Sequence, residues 1–151
     1  MRVPGDVHSA LFEAGLIPDP YAGRNEYGVR WVADREWLLA RSFDLPDENV
    51  LDGWVLEIDQ LDTVAELRLN GEPVVAADNA FRRYRVRLDG RLRAGGNRIE
   101  ILFRSATRTA DERQAAQPFR IPYSTNNSPI PNGNMLRKPQ CHFGWDWNIA
   151  L

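Results

Sequence analysis

The sequence predicts an all-β protein, an antiparallel β-sandwich with one short helix at its amino terminus. Short segments of alternating apolar and polar residues recur along the chain, and Asn70-Gly71 supplies the residues that a tight hairpin turn requires. At least five strands with short turns favour an antiparallel sandwich over a fold of alternating strands and helices. The length of 151 residues, 43% of them hydrophobic and 26% charged, fits one domain with one core.

The helix is predicted directly after Asp6, whose side chain suits an N-cap. Apolar residues then recur at helical spacing up to Ala14, and Gly15 suits the end of the helix. From Trp37 onwards the period changes to that of strands.

The strands are predicted from apolar residues at every second position. They cover 37–45, the alternating run at 54–59, 65–69, 83–88 and 98–103. Tyr84 and Val86 are expected to face the core while Arg85 faces solvent, and Ile99, Ile101 and Phe103 are the expected core residues of the last strand. A turn is predicted at 95–97, where two glycines precede an asparagine.

After Arg104 the composition changes. Five of the ten prolines fall between there and residue 139, with four asparagines interleaved. The pattern predicts a long loop, either ordered or mobile. A loop of this length is as often involved in binding as it is mobile, so both alternatives stay open. The segment from His142 onwards is aromatic and predicts the start of a strand.

Charge and cysteine content narrow the class of protein. A formal net charge of −2 gives no reason to expect nucleic acid or a membrane as partner, and the arginines around Arg85 fit a solvated strand face better than a nucleic-acid track. Cys141 is the one cysteine and is predicted to be a small core residue, while His8 and His142 have no zinc-ligand spacing, so neither metal nor other cofactor is expected. An amino terminus without an apolar run leads us to expect a cytoplasmic protein.

No catalytic residue is nominated by the sequence. Hydrolysis of a glycoside with retention needs two carboxyl groups about 5–5.5 Å apart. The strand carboxylates Glu57, Asp59, Glu66 and Glu100 all have outward parity, so we expect them on the solvated surface.

A sharper candidate for binding is Trp145-Asp146-Trp147. Indole faces stack on the apolar face of a pyranose, and a carboxylate accepts hydrogen bonds from two vicinal hydroxyls, so the triplet suits a sugar. The alternative is that both tryptophans are core or interface anchors and that Asp146 caps a turn.

Several segments together resemble the amino-terminal domain of β-mannosidases, members of family two of the retaining glycoside hydrolases. The segments are 3–8, 19–21, 25–26, 61–65, 69–71, 78–82 and 137–147. The most specific of them is Gly144-Trp145-Asp146-Trp147 after Arg137-Lys138. The chain departs from the resemblance at Asn148-Ile149, where Gly-Pro would be expected.

The resemblance implies a galactose-binding-domain-like jelly roll over residues 1–151, truncated at its carboxyl-terminal end. It further implies an exo-acting enzyme that releases terminal β-D-mannose with retention, and whose linker and (β/α)8 barrel domains, with both catalytic carboxylates, are absent from this chain. The expected partners are the nonreducing-end sugar of a β-mannoside and that barrel, and the isolated fragment is expected to be inactive.

The resemblance also implies roles for particular residues. Asp146 would bind hydroxyls of the nonreducing sugar, with Trp145 and Trp147 shaping the pocket. Arg24 and Asn25 are candidates for a second loop at the same site, with a solvated turn after Pro20 as the alternative. Two other classes stay open: a freestanding carbohydrate-binding module, and a structural domain that only docks other domains.

Overall fold

The computed structural model describes residues 1–46, 52–124, 130–144 and 149. The described chain forms two compact units, one of Glu36–Arg104 and one of Met1–Arg35 with Ser105–Leu151. No helix in the described ranges is both long and apolar enough to cross a membrane. In chain order the elements are α1 (Val7–Glu13), α2 (Asn25–Val29), a 3₁₀ turn (Arg30–Val32), β1 (Trp37–Leu45), β2 (Val55–Ile58), β3 (Ala65–Leu69), β4 (Glu72–Ala77), β5 (Tyr84–Arg87), β6 (Gly95–Phe103), α3 (Ala106–Ala115) and two further 3₁₀ turns (Gly133–Met135 and Gln140–Phe143).

The unit Glu36–Arg104 is an antiparallel β-sandwich. One sheet has four strands in the order β1-β6-β3-β4, and β2 with β5 forms the other. Between them lies a core of fully buried residues with half-buried side chains from both sheets around it: Leu61, Ala65, Leu67, Val75 and Ala77, with Leu56, Ile58, Val74, Tyr84, Val86, Ile99, Ile101 and Phe103. The predicted antiparallel sandwich is therefore confirmed.

Strand β6 is one of the two inner strands of the larger sheet. Its Ile101 lies opposite Leu39 of β1 and opposite Leu67 of β3, which is 1% exposed. Because side chains alternate along a strand, this register places Ile99 and Phe103 on the same core-facing side. The predicted parity of this strand is correct.

The turn predicted at 95–97 is wrong, because Gly95 to Asn97 are already part of β6 and pair with β1. Asn97 is 2% exposed, and its amide is fully used. Its Oδ1 accepts from Asn70 Nδ2 and from Arg93 N, both at 2.9 Å, and its Nδ2 donates to Arg93 O at 2.7 Å and Gly95 O at 3.0 Å. The asparagine closes the loop before β6 from within the strand.

The hairpin predicted between β3 and β4 is present. Asn70 and Gly71 both have positive φ, 54° and 88°, as the favoured two-residue hairpin turns require. The side chain of Asn70 reaches β6, where its Oδ1 accepts from Arg98 N at 2.9 Å.

The predicted helix α1 is confirmed, and its cap is the predicted one. Asp6 Oδ1 accepts from Ser9 N at 2.9 Å, and Gly15 follows the helix at φ 68°. Sequence reasoning missed α2, which begins at Asn25, in the region where a turn was the alternative.

The loop predicted after Arg104 begins instead with helix α3. Ser105 is its N-cap: the hydroxyl oxygen accepts from Arg108 N at 3.1 Å and donates to Ala33 O at 2.9 Å. The prolines that indicated a loop begin only at Pro118, after the helix has ended.

Two further predictions near the carboxyl end are wrong. Gln140–Phe143 form a 3₁₀ turn, so the segment around His142 is no strand start. Cys141 is exposed and is not a core residue, because this turn directs it to the surface while Phe143 is buried.

Each of the four outward carboxylates lies beside an arginine, but only Glu57 and Asp59 are fully on the solvated surface as predicted, with side chains 69% and 92% exposed, whereas those of Glu66 and Glu100 are half-buried at 32% and 26%. Arg85 Nε is 2.9 Å from Glu57 Oε1 across the smaller sheet, and Asp59 pairs in the same way with Arg83. Glu66 and Glu100 pair with Arg68 and Arg98 on the larger sheet. Such exposed pairs contribute little to stability, and they account for the arginines as a solvated face.

His8 on α1, in the other unit, is a half-buried titratable group. Its Nε2 is buried with no hydrogen-bond partner among the described residues. Burial lowers the pKa of His8 because desolvation disfavours the charged imidazolium, and the positive charge of Lys138 lowers it too. Asp6 and the Val29 backbone act in the opposite direction and only partly offset this.

We predict that His8 makes the protein less stable as the pH falls. A histidine whose pKa is depressed in the folded state is protonated first in the unfolded state, so stability is lost below the unfolded pKa of about 6.5. Thermal unfolding between pH 7.5 and pH 5 should therefore show a smaller decrease in Tm for His8→Gln than for the unchanged chain. Parallel curves for the two proteins would contradict the prediction.

We predict that the two faces of β5 respond differently to truncation. Tyr84→Ala removes a half-buried ring from the core and should destabilise by about 3 kcal/mol, whereas Arg85→Ala, on the other face, should stay within about 0.5 kcal/mol. Tyr84→Phe should cost nothing, because the buried Tyr84 hydroxyl has no partner in the described part of the chain. Urea unfolding of the three variants tests this, and equal losses at both positions would refute the assigned parity.

Candidate functional site

The predicted sugar-binding triplet Trp145-Asp146-Trp147 lies outside the described residues. The structure does describe the segment that leads to it, residues 130–144, in the unit that contains α1, α2 and α3.

Segment 130–144 is closed on itself by one side chain. Gln140 Nε2 lies within hydrogen-bond distance of three carbonyl oxygens, those of Gly133 at 3.3 Å, Leu136 at 3.4 Å and Lys138 at 3.2 Å. The apolar Leu136 is buried beneath this turn. Three backbone acceptors of this irregular segment thus share the two N–H groups of one amide, and the segment has a small apolar anchor of its own.

The same segment is tied to helix α3. Arg113 Nη1 donates to Met135 O at 3.3 Å, and Asn132 Nδ2 donates to Asp111 Oδ1 at 2.7 Å. Two side-chain contacts to a regular helix give this loop a fixed support.

Phe143 is the main apolar anchor before the triplet. It is 2% exposed, and its ring lies directly against Gly133, whose missing side chain makes room for it. Lys138 Nζ lies 4.9 Å from the ring centroid, a cation–π distance. Sequence analysis singled out neither Phe143 nor Gly133, because nothing local indicates that residues ten positions apart are in contact.

Gly144 is the last described residue before the triplet. It is buried and has φ 100° and ψ 157°, a backbone conformation that is essentially restricted to glycine. A side chain at this position would be strained, so glycine is required for the backbone conformation at the end of this segment.

The weaker candidates Arg24 and Asn25 lie at the start of α2. Asn25 Nδ2 donates to Asp19 O at 2.9 Å, and Tyr21 N donates to Asp19 Oδ1 at 2.9 Å, so the Asn25 amide helps to close the loop after Pro20. Arg24 is exposed and makes no side-chain cap bond to the helix. These contacts suit the alternative of a solvated turn for Asn25 and leave its sugar contact a prediction.

The sandwich unit contains an apolar pocket of about 300 Å³. Its lining is entirely apolar: Phe43, Leu45, Trp54, Val55, Leu56, Leu69, Leu88, Leu92 and Ile99. Sugar binding needs polar groups to pair with hydroxyls, so this pocket is no candidate for the sugar site. The described residues also contain no group of three or more His, Cys, Asp or Glu side chains that could hold a metal ion.

Comparison with known sequences gives a match over the whole chain. The family model for the glycosyl hydrolase 2 galactose-binding domain-like family matches residues 1–151. The chain is 36% identical to a β-mannosidase of Bos taurus over 154 residues and 34% identical to a probable β-mannosidase of Caenorhabditis elegans over 157 residues. Each alignment covers 99% of this chain and 17% of the relative, so the chain spans about a sixth of the length of these proteins.

Solved structures agree. A β-D-mannosidase from Dictyoglomus thermophilum superposes with a TM-score of 0.85 at 33% identity, over 99% of this chain and 18% of that one. An exo-chitosanase from Amycolatopsis orientalis shares only the fold, with a TM-score of 0.58 at 19% identity over 65% of this chain and 12% of its own. The resemblance seen in the sequence is thus confirmed: the chain belongs to the glycosyl hydrolase 2 galactose-binding domain-like family and corresponds to the amino-terminal domain of β-mannosidases.

Proposed function

We propose that this chain forms one wall of the substrate pocket in an exo-acting, retaining β-mannosidase that hydrolyses terminal β-D-mannose residues. The observation that carries the proposal is the similarity to β-mannosidases over 99% of the chain, in sequence and in structure. The catalytic carboxylates and the (β/α)8 barrel would belong to the remainder of the full-length protein.

The carboxylates of the sandwich support the assignment of catalysis to the remainder of the full-length protein. Glu57, Asp59, Glu66 and Glu100 each pair with an arginine on an outer face. A nucleophile and an acid/base must face one sugar from about 5–5.5 Å apart, and carboxylates that are ion-paired with arginines on the outside of a sheet are poor candidates for those roles.

Recognition of the sugar would fall to Asp146 and the two tryptophans beside it. A carboxylate that accepts hydrogen bonds from two vicinal hydroxyls discriminates the configuration of the sugar, while the indoles cover its apolar face. A carboxylate held between two indoles needs a polar partner, because an unpaired buried charge costs several kcal/mol. Sugar hydroxyls would be that partner, with Arg24 as an exposed candidate for an additional contact.

We predict that the isolated chain of residues 1–151 hydrolyses no β-mannoside. Retaining hydrolysis requires both a nucleophile and a general acid, and neither is expected here. Release of nitrophenol from an aryl β-D-mannoside should stay at background with the purified chain. Turnover that is abolished by replacing an acidic residue within 1–151 would place the catalytic pair in this chain.

We predict that Asp146→Ala in the full-length enzyme lowers kcat/KM by an amount equivalent to about 2–4 kcal/mol, or roughly 30- to 900-fold, with folding nearly unchanged. The loss reflects charged hydrogen bonds to sugar hydroxyls, so Asp146→Asn should recover part of it. Steady-state kinetics on an aryl β-D-mannoside together with Tm tests both statements.

The matched control for this variant is Asp59→Ala, which removes an exposed carboxylate from the sandwich surface. It should leave both kcat/KM and Tm unchanged. Normal kcat/KM in a folded Asp146→Ala enzyme would end the sugar-contact proposal, and a loss of about 1 kcal/mol in stability alone would indicate a turn cap.

A second role, the docking of other domains, is favoured by one observation. Large apolar side chains in 1–35 are exposed, among them Leu16 and Tyr21 at 70% each and Tyr27 at 58%. Exposed apolar side chains mark an interaction surface where they form a contiguous patch. If docking were the whole function, the Asp146 variant would fold and turn over normally.

A further inference from the structure

We infer that Arg30 docks this chain onto a carboxylate that the remainder of the full-length protein supplies, and that Tyr27 and Trp31 form the aromatic part of the same docking surface. The inference rests on the docking role given under the proposed function and names its partner. It does not depend on the sugar contact of Asp146, because none of the three residues belongs to the triplet.

The first step is the placement of the Arg30 guanidinium. Arg30 begins the 3₁₀ turn that follows α2, and it is half-buried. Its Nε is enclosed without a hydrogen-bond partner among the described residues, and its Cζ lies 4.6 Å from the centre of the Tyr27 ring, a cation–π distance. The enclosed stem and the ring hold the guanidinium in place, so little side-chain freedom is lost when a partner binds.

The second step is the missing counter-charge. In the described part of the chain the ion pairs involve other arginines, namely Arg68, Arg83, Arg85, Arg87, Arg98 and Arg104. The two Nη groups of Arg30 donate to no described residue and are not enclosed, so they lie at the surface. A half-buried cation without a counter-charge is unfavourable, so this position favours an anionic partner.

The third step concerns the side chains beside this cation. Tyr27 is 58% exposed, and Trp31, next to Arg30 in sequence, is 41% exposed. Tyrosine, tryptophan and arginine are the residues that most often contribute the largest share of the binding energy at protein interfaces. Three of them within five positions, with the Tyr27 ring against a guanidinium held in place, therefore indicate a contact with protein.

The fourth step is the chemistry of the partner. A guanidinium is planar and presents its N–H groups as a fork, which matches the two oxygens of a carboxylate through two parallel hydrogen bonds. A sugar hydroxyl would accept one of these bonds but would leave the charge uncompensated. The chain spans about a sixth of the length of its β-mannosidase relatives, so most of the full-length protein is available to present the aspartate or glutamate.

The experiment is zero-length cross-linking of the full-length protein that carries Arg30→Lys. A water-soluble carbodiimide joins the amine of the introduced lysine to a carboxyl group in contact with it, as an amide formed with loss of water. Digestion and mass spectrometry then identify the acidic residue. We expect a cross-link from position 30 to an aspartate or glutamate beyond residue 151.

The matched control is Arg104→Lys. Arg104 Nη1 is 2.9 Å from Glu36 Oε1, and the two side chains are 46% and 40% exposed. The introduced lysine should therefore cross-link to Glu36 under the same conditions. This product shows that the reaction reports a contact between a cation and a carboxylate.

A second variant, Arg30→Gln, tests the contact without the reagent and decides the matter if the lysine variant does not fold. It removes the charge but keeps a polar side chain, so it should lower the Tm of the full-length protein. The difference from the unchanged protein should shrink as the NaCl concentration rises, because salt screens an ion pair near the surface. Arg85→Gln, on the solvated face of the sandwich, should leave Tm unchanged.

The outcomes separate the two proposals. A cross-link from position 30 to an acidic residue within 1–151, or none while the control reacts, overturns the docking contact. A loss of Tm in Arg30→Gln that does not change with salt also overturns it, because that pattern indicates packing. A raised KM for an aryl β-D-mannoside at unchanged Tm would place Arg30 at the sugar instead and likewise overturn docking. The sugar contact of Asp146 is decided separately, by the kinetics of Asp146→Ala.

Discussion

The sandwich depends on the buried amide of Asn97 and the half-buried amide of Asn70. Asn97 begins the core-facing part of β6, and its side chain joins that strand to the loop before it and to Asn70 in the β3–β4 hairpin. An amide buried without partners costs about 1–3 kcal/mol for each unsatisfied group, so an arrangement in which all four bonds are made excludes other registers. Since β6 pairs with both β1 and β3, its register positions three of the four strands of the larger sheet.

Most of this sandwich could be predicted from the sequence, because a strand with one buried face must alternate. That constraint placed Ile99, Ile101 and Phe103 on the core side and the ion-paired carboxylates outside, as observed. It did not predict the role of Asn97. Asparagine is frequent in turns, and its conversion into a buried bridge requires Asn70, which is 27 residues away in sequence and adjacent only in the folded sheet.

Helix α3 was also not predicted from the sequence, for a different reason. Its N-cap Ser105 is a recognisable signal, but the residue three positions on is Arg108, whereas a capping box would need Glu or Gln there. Of its ten residues only Ala110 is buried, so the apolar periodicity that reveals most helices is almost missing. Contacts with residues distant in sequence, such as that between Ser105 and Ala33, stabilise a helix that local sequence signals do not predict.

For the candidate site too, the side-chain chemistry could be predicted from the sequence, whereas the contacts that hold the neighbouring chain could not. A carboxylate between two indoles is visible in the sequence, because side-chain chemistry belongs to single residues. What holds the chain before it is a set of pairs: Gly133 with Phe143, Gln140 with three carbonyls, Asn132 with Asp111. Each pair is meaningful only once both members are in place, and two of them depend on a glycine or an amide that a sequence pattern assigns to turns. A loop without regular secondary structure can therefore be held in one conformation by buried apolar anchors and by side-chain hydrogen bonds to its backbone, and segment 130–144 has both.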